Sequence, residues 1–438
     1  MSSSEQPSFS IRSVAVSAFL PAALFAIGEG AIIPIIPVVA DSLGASLPFA
    51  GFVAALILVG ELVGDVPSGW LVARIGERTA MIGAALASIV GLVTCLLAPT
   101  PWVLAVGVFV IGLSTAVFAL ARHAFMTTFV PIDIRARALS SLGGVFRLGY
   151  FVGPLISAGV IHLTGSTQSA FVVHIVGCLG AAGVLLALRD PAASFGTAPR
   201  LRPSTVATAV ADDADRGGDE VARQAVGLFA TLRRRRDVLL RLGTGAALIG
   251  AMRSGRQVVL PLWAVSIGLG DSTTALVIGL AGAVDFALFY TSGQIMDRWG
   301  RLASALPCML GLAASYLALS LVHDVDARVP LFVALAVTMS LANGVGSGIL
   351  MTLGADLAGR DDPAPFLGAW RFTGDLGSAA APLLVAGVTA VASLPVASAA
   401  LGVLGLVGAG VLLRYVPRYV PRQRPPTDPP PVVGDPLG

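Results

Sequence analysis

The chain has 438 residues, of which 55% are hydrophobic and 12% charged, and its formal net charge is +3; its mean hydropathy is +0.86. A soluble domain carries about 25% charged residues, so this composition excludes one and places the chain in lipid. The small positive charge calls for no nucleic-acid partner, because a bias of arginine toward one membrane face accounts for it.

A bilayer core takes about 20 apolar residues per helical span, and twelve such runs follow one another. They lie near 13–38, 48–72, 79–99, 102–126, 138–161, 169–189, 238–264, 273–296, 302–322, 329–352, 366–391 and 395–415. The first run is too long for a signal peptide and lacks a small-residue cleavage pattern, so it is expected to stay as a helix. Trp70, Trp102, Trp263, Trp299 and Trp370 all fall near run ends, as an interfacial aromatic belt requires. Cys95, Cys178 and Cys308 sit inside runs and form no metal spacing or disulfide set, which makes them packing residues.

The basic residues are all arginine. Arg74, Arg78, Arg135, Arg137, Arg298, Arg301, Arg360, Arg414, Arg418, Arg422 and Arg424 fall on one side with the middle loop, against Arg328 on the other. The positive-inside rule then predicts a cell-membrane protein with both termini cytoplasmic. Residues 190–236 change abruptly to "AVADDADRGGDEVARQ" and "TLRRRRD", a solvated linker whose Arg233–Arg236 run is placed to hold a helix start to anionic lipid. The chain thus divides into a six-span bundle over 1–189, a cytoplasmic linker over 190–236, a second bundle over 237–415 and a proline-rich disordered tail over 416–438.

The two halves share a register. An offset of 224 residues pairs Gly69 with Gly293, Arg74 with Arg298, Gly76 with Gly300, Gly44 with Gly268, Pro37 with Pro261 and Glu61 with Asp285. Later the offset is 228, pairing Pro154 in "GYFVGPLISAGV" with Pro382 in "GSAAAPLLVAGV". Matched glycine, proline, arginine and mid-span acid in one frame indicate an internal duplication, a usual build for a secondary transporter.

With these residues in view, the chain resembles the major facilitator superfamily over nearly all its length. "GQIMDRWGR", with Gly293, Asp297, Arg298, Gly300 and Arg301, is similar to that family's loop motif A; "GWLVARIGER", with Gly69, Arg74, Gly76 and Arg78, is its first-half copy, with Ala73 where the family has aspartate. "GYFVGP", with Gly149, Gly153 and Pro154, is similar to the antiporter-associated motif C. The resemblance implies an all-helical fold of two pseudo-symmetric six-helix bundles, a cytoplasmic latch made by the motif A loops, and transport by alternating access.

Ionisable residues within spans are costly and mark pathways or partners. Counted at the helical rise, Glu61, Arg147, Asp285 and Asp375 come out in one layer roughly 13–16 Å from the cytoplasmic ends. In the family the fifth and eighth helices meet across the midline, as do the second and eleventh. The resemblance therefore implies an inter-half ion pair of Arg147 with Asp285, and Glu61 facing Asp375 with Asp65 one turn away. Glu61, with Asp65 or Asp375, is the expected proton carrier; the plainer reading is that arginines neutralise these acids and simply join the halves. Glu29, Arg253 and Arg256 lie on the first and seventh spans, which line the family's cavity, and are the expected substrate contacts unless they pair with one another. Asn343 is a weaker candidate because its glycine neighbours read first as helix packing. Arg122, near the inner end of its run, is expected to snorkel, though the family places a functional arginine in that helix.

These residues point to a secondary active transporter, with a small-molecule substrate, protons and the bilayer as partners, acting as a monomer. No catalytic group, metal site or cofactor motif is expected. Motif C and the buried acids favour proton-coupled efflux, by antiport, of a partly apolar molecule. The alternative is a proton-coupled importer of a sugar or organic anion, with Arg253 and Arg256 as anion contacts.

Overall fold

The structure, a computed structural model, describes residues 11–129, 132–187, 233, 235–358 and 363–420. The linker and tail expected over 190–236 and 416–438 fall almost wholly outside the described residues. The described chain is all-helical, as apolar runs in lipid must be when no water can satisfy the backbone.

The first half comprises α1 (Ile11–Ile32), α2 (Ile36–Ser42), α3 (Leu47–Ile75), α4 (Glu77–Leu96), α5 (Pro101–Phe129), α6 (Ile132–Thr164) and α7 (Ser169–Ala187). The second comprises α8 (Thr244–Ser266), α9 (Asp271–Trp299), α10 (Leu302–Ser320), α11 (Arg328–Val345), α12 (Ile349–Leu357), α13 (Pro363–Val391) and α14 (Leu394–Tyr419). A short turn, Arg236–Val238, and a π-helical turn, Leu239–Gly243, lead into α8.

Two expected spans are each broken in two. Pro34 has no N–H to continue the ladder, so α1 stops at Ile32 and α2 carries the span on to Ser42. The span expected over 329–352 breaks between Val345 and Ile349, where Gly348 takes a left-handed φ of 77°. The last helix runs to Tyr419, past the expected limit of 415.

Eleven described helices or helix pairs are long and apolar enough to span a membrane. The twelfth, α8, has 23 residues but carries Arg253, Ser254, Arg256 and Gln257 in its middle. Most of its length is buried against neighbouring helices rather than turned to lipid, which lets it be the most polar span.

The duplication is visible in the turns. Gly44 and Gly268 take φ of 85° and 71°, and Gly76 and Gly300 take 83° and 89°. These are the same pairs that the sequence matched, and the left-handed conformation they share is open to glycine at little cost.

Within the first half α1 packs on α6 and α7, and α5 on α3 and α4; within the second α8 packs on α13 and α14, and α11 on α9 and α10. The halves meet through α6 with α9, α3 with α13, and α8 with α2 and α3. The aromatic belt is incomplete: Trp102 and Trp299 are exposed, but Trp263 and Trp370 are buried. Trp263 lies edge-on to His323, and Trp370 Nε1 donates to the Leu350 carbonyl at 2.8 Å. Proximity to a run end does not say whether a ring faces lipid or a neighbouring helix. The three cysteines are free and buried.

Candidate functional site

Two groups of charge lie inside the bundle. The first surrounds Glu29 of α1, which is 1% exposed. Its neighbours are Thr115 and Arg122 of α5 and Tyr150 of α6. Arg122 does not snorkel: it is buried, and its guanidinium sits 3.7 Å above the Phe146 ring. The family pattern singled this arginine out; nothing in the local sequence told a buried one from a snorkelling one. Both Glu29 oxygens, Thr115 Oγ1 and Arg122 Nε and Nη1 are buried without a hydrogen bond among the described residues. Such a cluster of open polar atoms is suited to water, since buried polar groups otherwise go paired.

This group runs on toward the other half. Glu61 of α3 has Glu29, Asp65, Asp375 and Arg371 as its charged neighbours. Arg371 Nε donates to Asp375 Oδ2 at 3.3 Å one turn away on α13. Glu61, Asp65 and Asp375 are therefore close, as the helix pairing implied, with Arg371 as the local counter-ion that the sequence reading missed. Its i, i+4 spacing to Asp375 was available in the sequence.

The second group surrounds Asp285 of α9. Arg147 Nη1 of α6 lies 3.2 Å from Asp285 Oδ1, across the two halves. Arg256 Nη2 lies 3.2 Å from Oδ2, and Asn343 Nδ2 donates to Oδ2 at 2.7 Å. Arg256 Nη1 also donates to Ser340 Oγ at 2.5 Å. Asp285 is thus held from α6, α8 and α11 together. Asn343 enters as a ligand of the carboxylate, and Ser340, one turn before it, went unnoticed in the sequence.

Arg253 does not pair with Glu29, nor does Arg256. Arg253 Nη2 donates instead to the Gly346 carbonyl at 2.5 Å, in the break between α11 and α12. Ser304 Oγ reaches the Val345 carbonyl and Ser292 Oγ the Ser347 carbonyl, both at 2.6 Å. Three carbonyls around the broken ladder are therefore satisfied by side chains, as a mid-membrane break demands.

The glycines of "GYFVGP" have a packing role. A Cβ on Gly149 would stand 2.5 Å from the Ala26 backbone carbon, and one on Gly153 would strike the Ile27 carbonyl. In the second half a Cβ on Gly377, 228 residues after Gly149, would strike the Ala247 carbonyl. These residues let α1 and α6, and α8 and α13, approach at backbone distance.

The described contacts of the motif A arginines lie within their own halves. Arg78 donates through Nε and Nη2 to the Leu185 carbonyl at 2.8 and 2.5 Å, closing the end of α7. Arg301 makes two hydrogen bonds to Asp356 at 2.7 and 3.2 Å, and these hold its guanidinium above its ordinary pKa range. Asp297 is 83% exposed and meets Arg301 at 3.5 Å. Arg74 and Arg298 lie over the rings of Trp70 and Trp299, each 5.2 Å from the centroid.

A depression of about 500 Å³ opens between the halves near Asp41, Pro48, Ser266 and His323, at the span ends and away from both charged groups.

Two six-span helical bundles with buried charge at their junction define a multi-pass membrane transporter. The family model described as Major Facilitator Superfamily matches residues 18–382, and the chain belongs to that superfamily. It is 25% identical over 114 residues to inositol transporter 4 of Arabidopsis thaliana, covering 26% of this chain and 20% of that one. It is 24% identical over 159 residues to the galactose-proton symporter of Escherichia coli K12, covering 36% and 34%. The chain thus spans 20% and 34% of the lengths of these two curated relatives. A crystal structure of a POT family transporter with a thioalcohol-conjugated peptide superposes with a TM-score of 0.74 at 15% identity, over 93% of this chain and 96% of that one.

Proposed function

We propose that this transporter is a proton-coupled symporter of a small polar solute, working by alternating access in the cell membrane with both termini inside. The observation that carries the reading is the set of carboxylates Glu61, Asp65 and Asp375 at the junction of α3 and α13, with Arg371 as their shared counter-ion. Like charges in a low-dielectric layer repel, and a proton on Glu61 relieves that repulsion. Bringing the two helices together then depends on proton occupancy, which is the differential stabilisation that coupling needs. A galactose-proton symporter among the relatives supports symport. Efflux by antiport drew on "GYFVGP" together with the same buried acids; the acids serve either direction and the glycines also pack helices closely, so the liposome measurement separates symport from antiport.

The test uses purified protein in liposomes loaded with a pH indicator. Galactose, myo-inositol or succinate is added outside at equal pH. Symport of one of them acidifies the interior; antiport would make it alkaline. An unchanged interior pH with all three would remove proton symport.

A further inference from the structure

The geometry points to the Asp285 group as the binding site of a small organic carboxylate, which enters by taking over Arg147 from Asp285. The inference names the solute of the symport reading and rests on that reading for its transport step. It is carried by a charge imbalance. Arg147, Arg253 and Arg256 lie close enough to influence one another, and Asp285 is the single carboxylate placed with them among the described residues. Two positive charges are left over in the middle of the spans. The acids of the other group are placed with other charges: Glu61, Asp65 and Asp375 neighbour one another and Arg371, and Glu29 lies beside Arg122.

The open hydrogen-bonding capacity lies in the same place. Arg253 Nε, Asn343 Oδ1 and Ser347 Oγ are buried and unpartnered, and Asn343 and Ser347 are 5% and 1% exposed. Asn343 holds Asp285 with its nitrogen, so its free oxygen lies within the group. Ser347 lies in the helix break whose Gly346 carbonyl binds Arg253. A carboxylate supplies both what the charges lack and a planar, two-oxygen acceptor matched to a guanidinium. A neutral polyol could fill hydrogen bonds but would leave the charge standing.

The consequence for Asp285 follows from its partners. The groups facing it are Arg147 from α6, Arg253 and Arg256 from α8, the Cys308 thiol from α10, and Ser340 and Asn343 from α11. When an incoming carboxylate accepts from Arg147 and from the open Nε of Arg253, Asp285 keeps Arg256 and Asn343. A bare carboxylate at that depth is costly, and this division leaves neither one bare. Three arginines then face two carboxylates, and the surplus falls from two charges to one. The same exchange removes the inter-half bond from Arg147 to Asp285, so binding loosens the junction of α6 and α9.

The experiment measures binding by the purified full chain in detergent, through the shift of its melting temperature. The probes are acetate, succinate and benzoate, against acetamide, succinamide, benzamide and myo-inositol. At least one carboxylate is expected to stabilise the protein, and its amide to leave it unchanged. Arg256→Gln and Arg253→Gln each weaken that binding tenfold or more; Arg256→Lys, which keeps the charge, gives a smaller loss and serves if the Gln variant does not fold. Asp285→Asn, which frees Arg147, keeps or tightens carboxylate binding. Loss of that binding in Asp285→Asn would overturn the exchange. Stabilisation by myo-inositol or the amides, with no response to any of the three carboxylates, would overturn the site while leaving symport of a neutral solute intact. Carboxylate binding with no acidification in liposomes would instead count against the symport reading alone.

Discussion

Arg147 of α6 and Asp285 of α9 meet across the two halves with 3.2 Å between Nη1 and Oδ1, and Asp285 is held at the same time by Arg256 and Asn343. The two ends of this bond are unequal. Removing one partner of a buried ion pair costs about 3–5 kcal/mol when the other is left bare. Arg147→Gln leaves Asp285 with Arg256, so its cost in unfolding free energy should fall at the lower end. Asp285→Asn strips both arginines and should cost more. The charge swap Arg147→Asp with Asp285→Arg should recover transport poorly, because the new arginine would face Arg256. Full recovery of uptake by the swap would show that Arg147 and Asp285 form a closed pair.

Glu61 at the junction of α3 and α13 is expected to carry the coupling proton. Glu61→Gln should abolish uphill uptake and its pH dependence while leaving solute exchange down a gradient, and Asp65→Asn should have a smaller effect. Unchanged uphill uptake by Glu61→Gln, measured across a pH series, would make the acid structural.

Asp297 and Asp356 separate two roles in the motif A region. Asp297 is exposed to solvent, so Asp297→Asn should change stability by about 0.5 kcal/mol or less. Asp356→Asn removes a two-pronged hydrogen bond from Arg301 and should loosen α12. Because the folded guanidinium is held above its ordinary pKa, the stability it adds is fully present below that ordinary value and lost only as pH rises through the raised one. Its share of the contact should therefore be constant across the neutral and mildly alkaline range, and melting curves from pH 6 to 9 should show an Asp356→Asn deficit of steady size. If Asp297→Asn alone shifts label distances between the halves, the inter-half latch resides in Asp297.

Gly149 and Gly159 lie on one helix in opposite surroundings. A Cβ at Gly149 meets the α1 backbone, whereas one at Gly159 meets nothing within 4 Å. Gly149→Ala should cost about 1–3 kcal/mol through overpacking. Gly159→Ala should be neutral or stabilising by up to about 1 kcal/mol. Equal melting temperatures for the two variants would contradict the close approach of α1 and α6.

For orientation, single cysteines at Ser166 and Gly270 on a cysteine-free background should react with an impermeant thiol reagent in intact cells. These two loops come together through the hydrogen bond from Thr167 to Asp271. A cysteine at Gly217, outside the described residues, should stay unlabelled. Labelling there would reverse the topology.

The sequence by itself determined the class, the span number and the duplication, because each rests on local physics. Twenty apolar residues need lipid wherever they fold, and Gly44, Gly76, Gly268 and Gly300 are legible because a left-handed turn asks for glycine irrespective of its neighbours. With helix pairing taken from the family, it also placed Arg147 opposite Asp285. Tertiary structure decided the rest. That Arg122 lies buried beside Glu29, that Asp285 gathers Arg256 and Asn343, and that Arg253 caps a broken helix depend on rotations of helices whose residues stand up to 93 positions apart in sequence. Hydropathy is a sum over one segment, whereas the partner of a buried charge is set by which faces of separate helices come together.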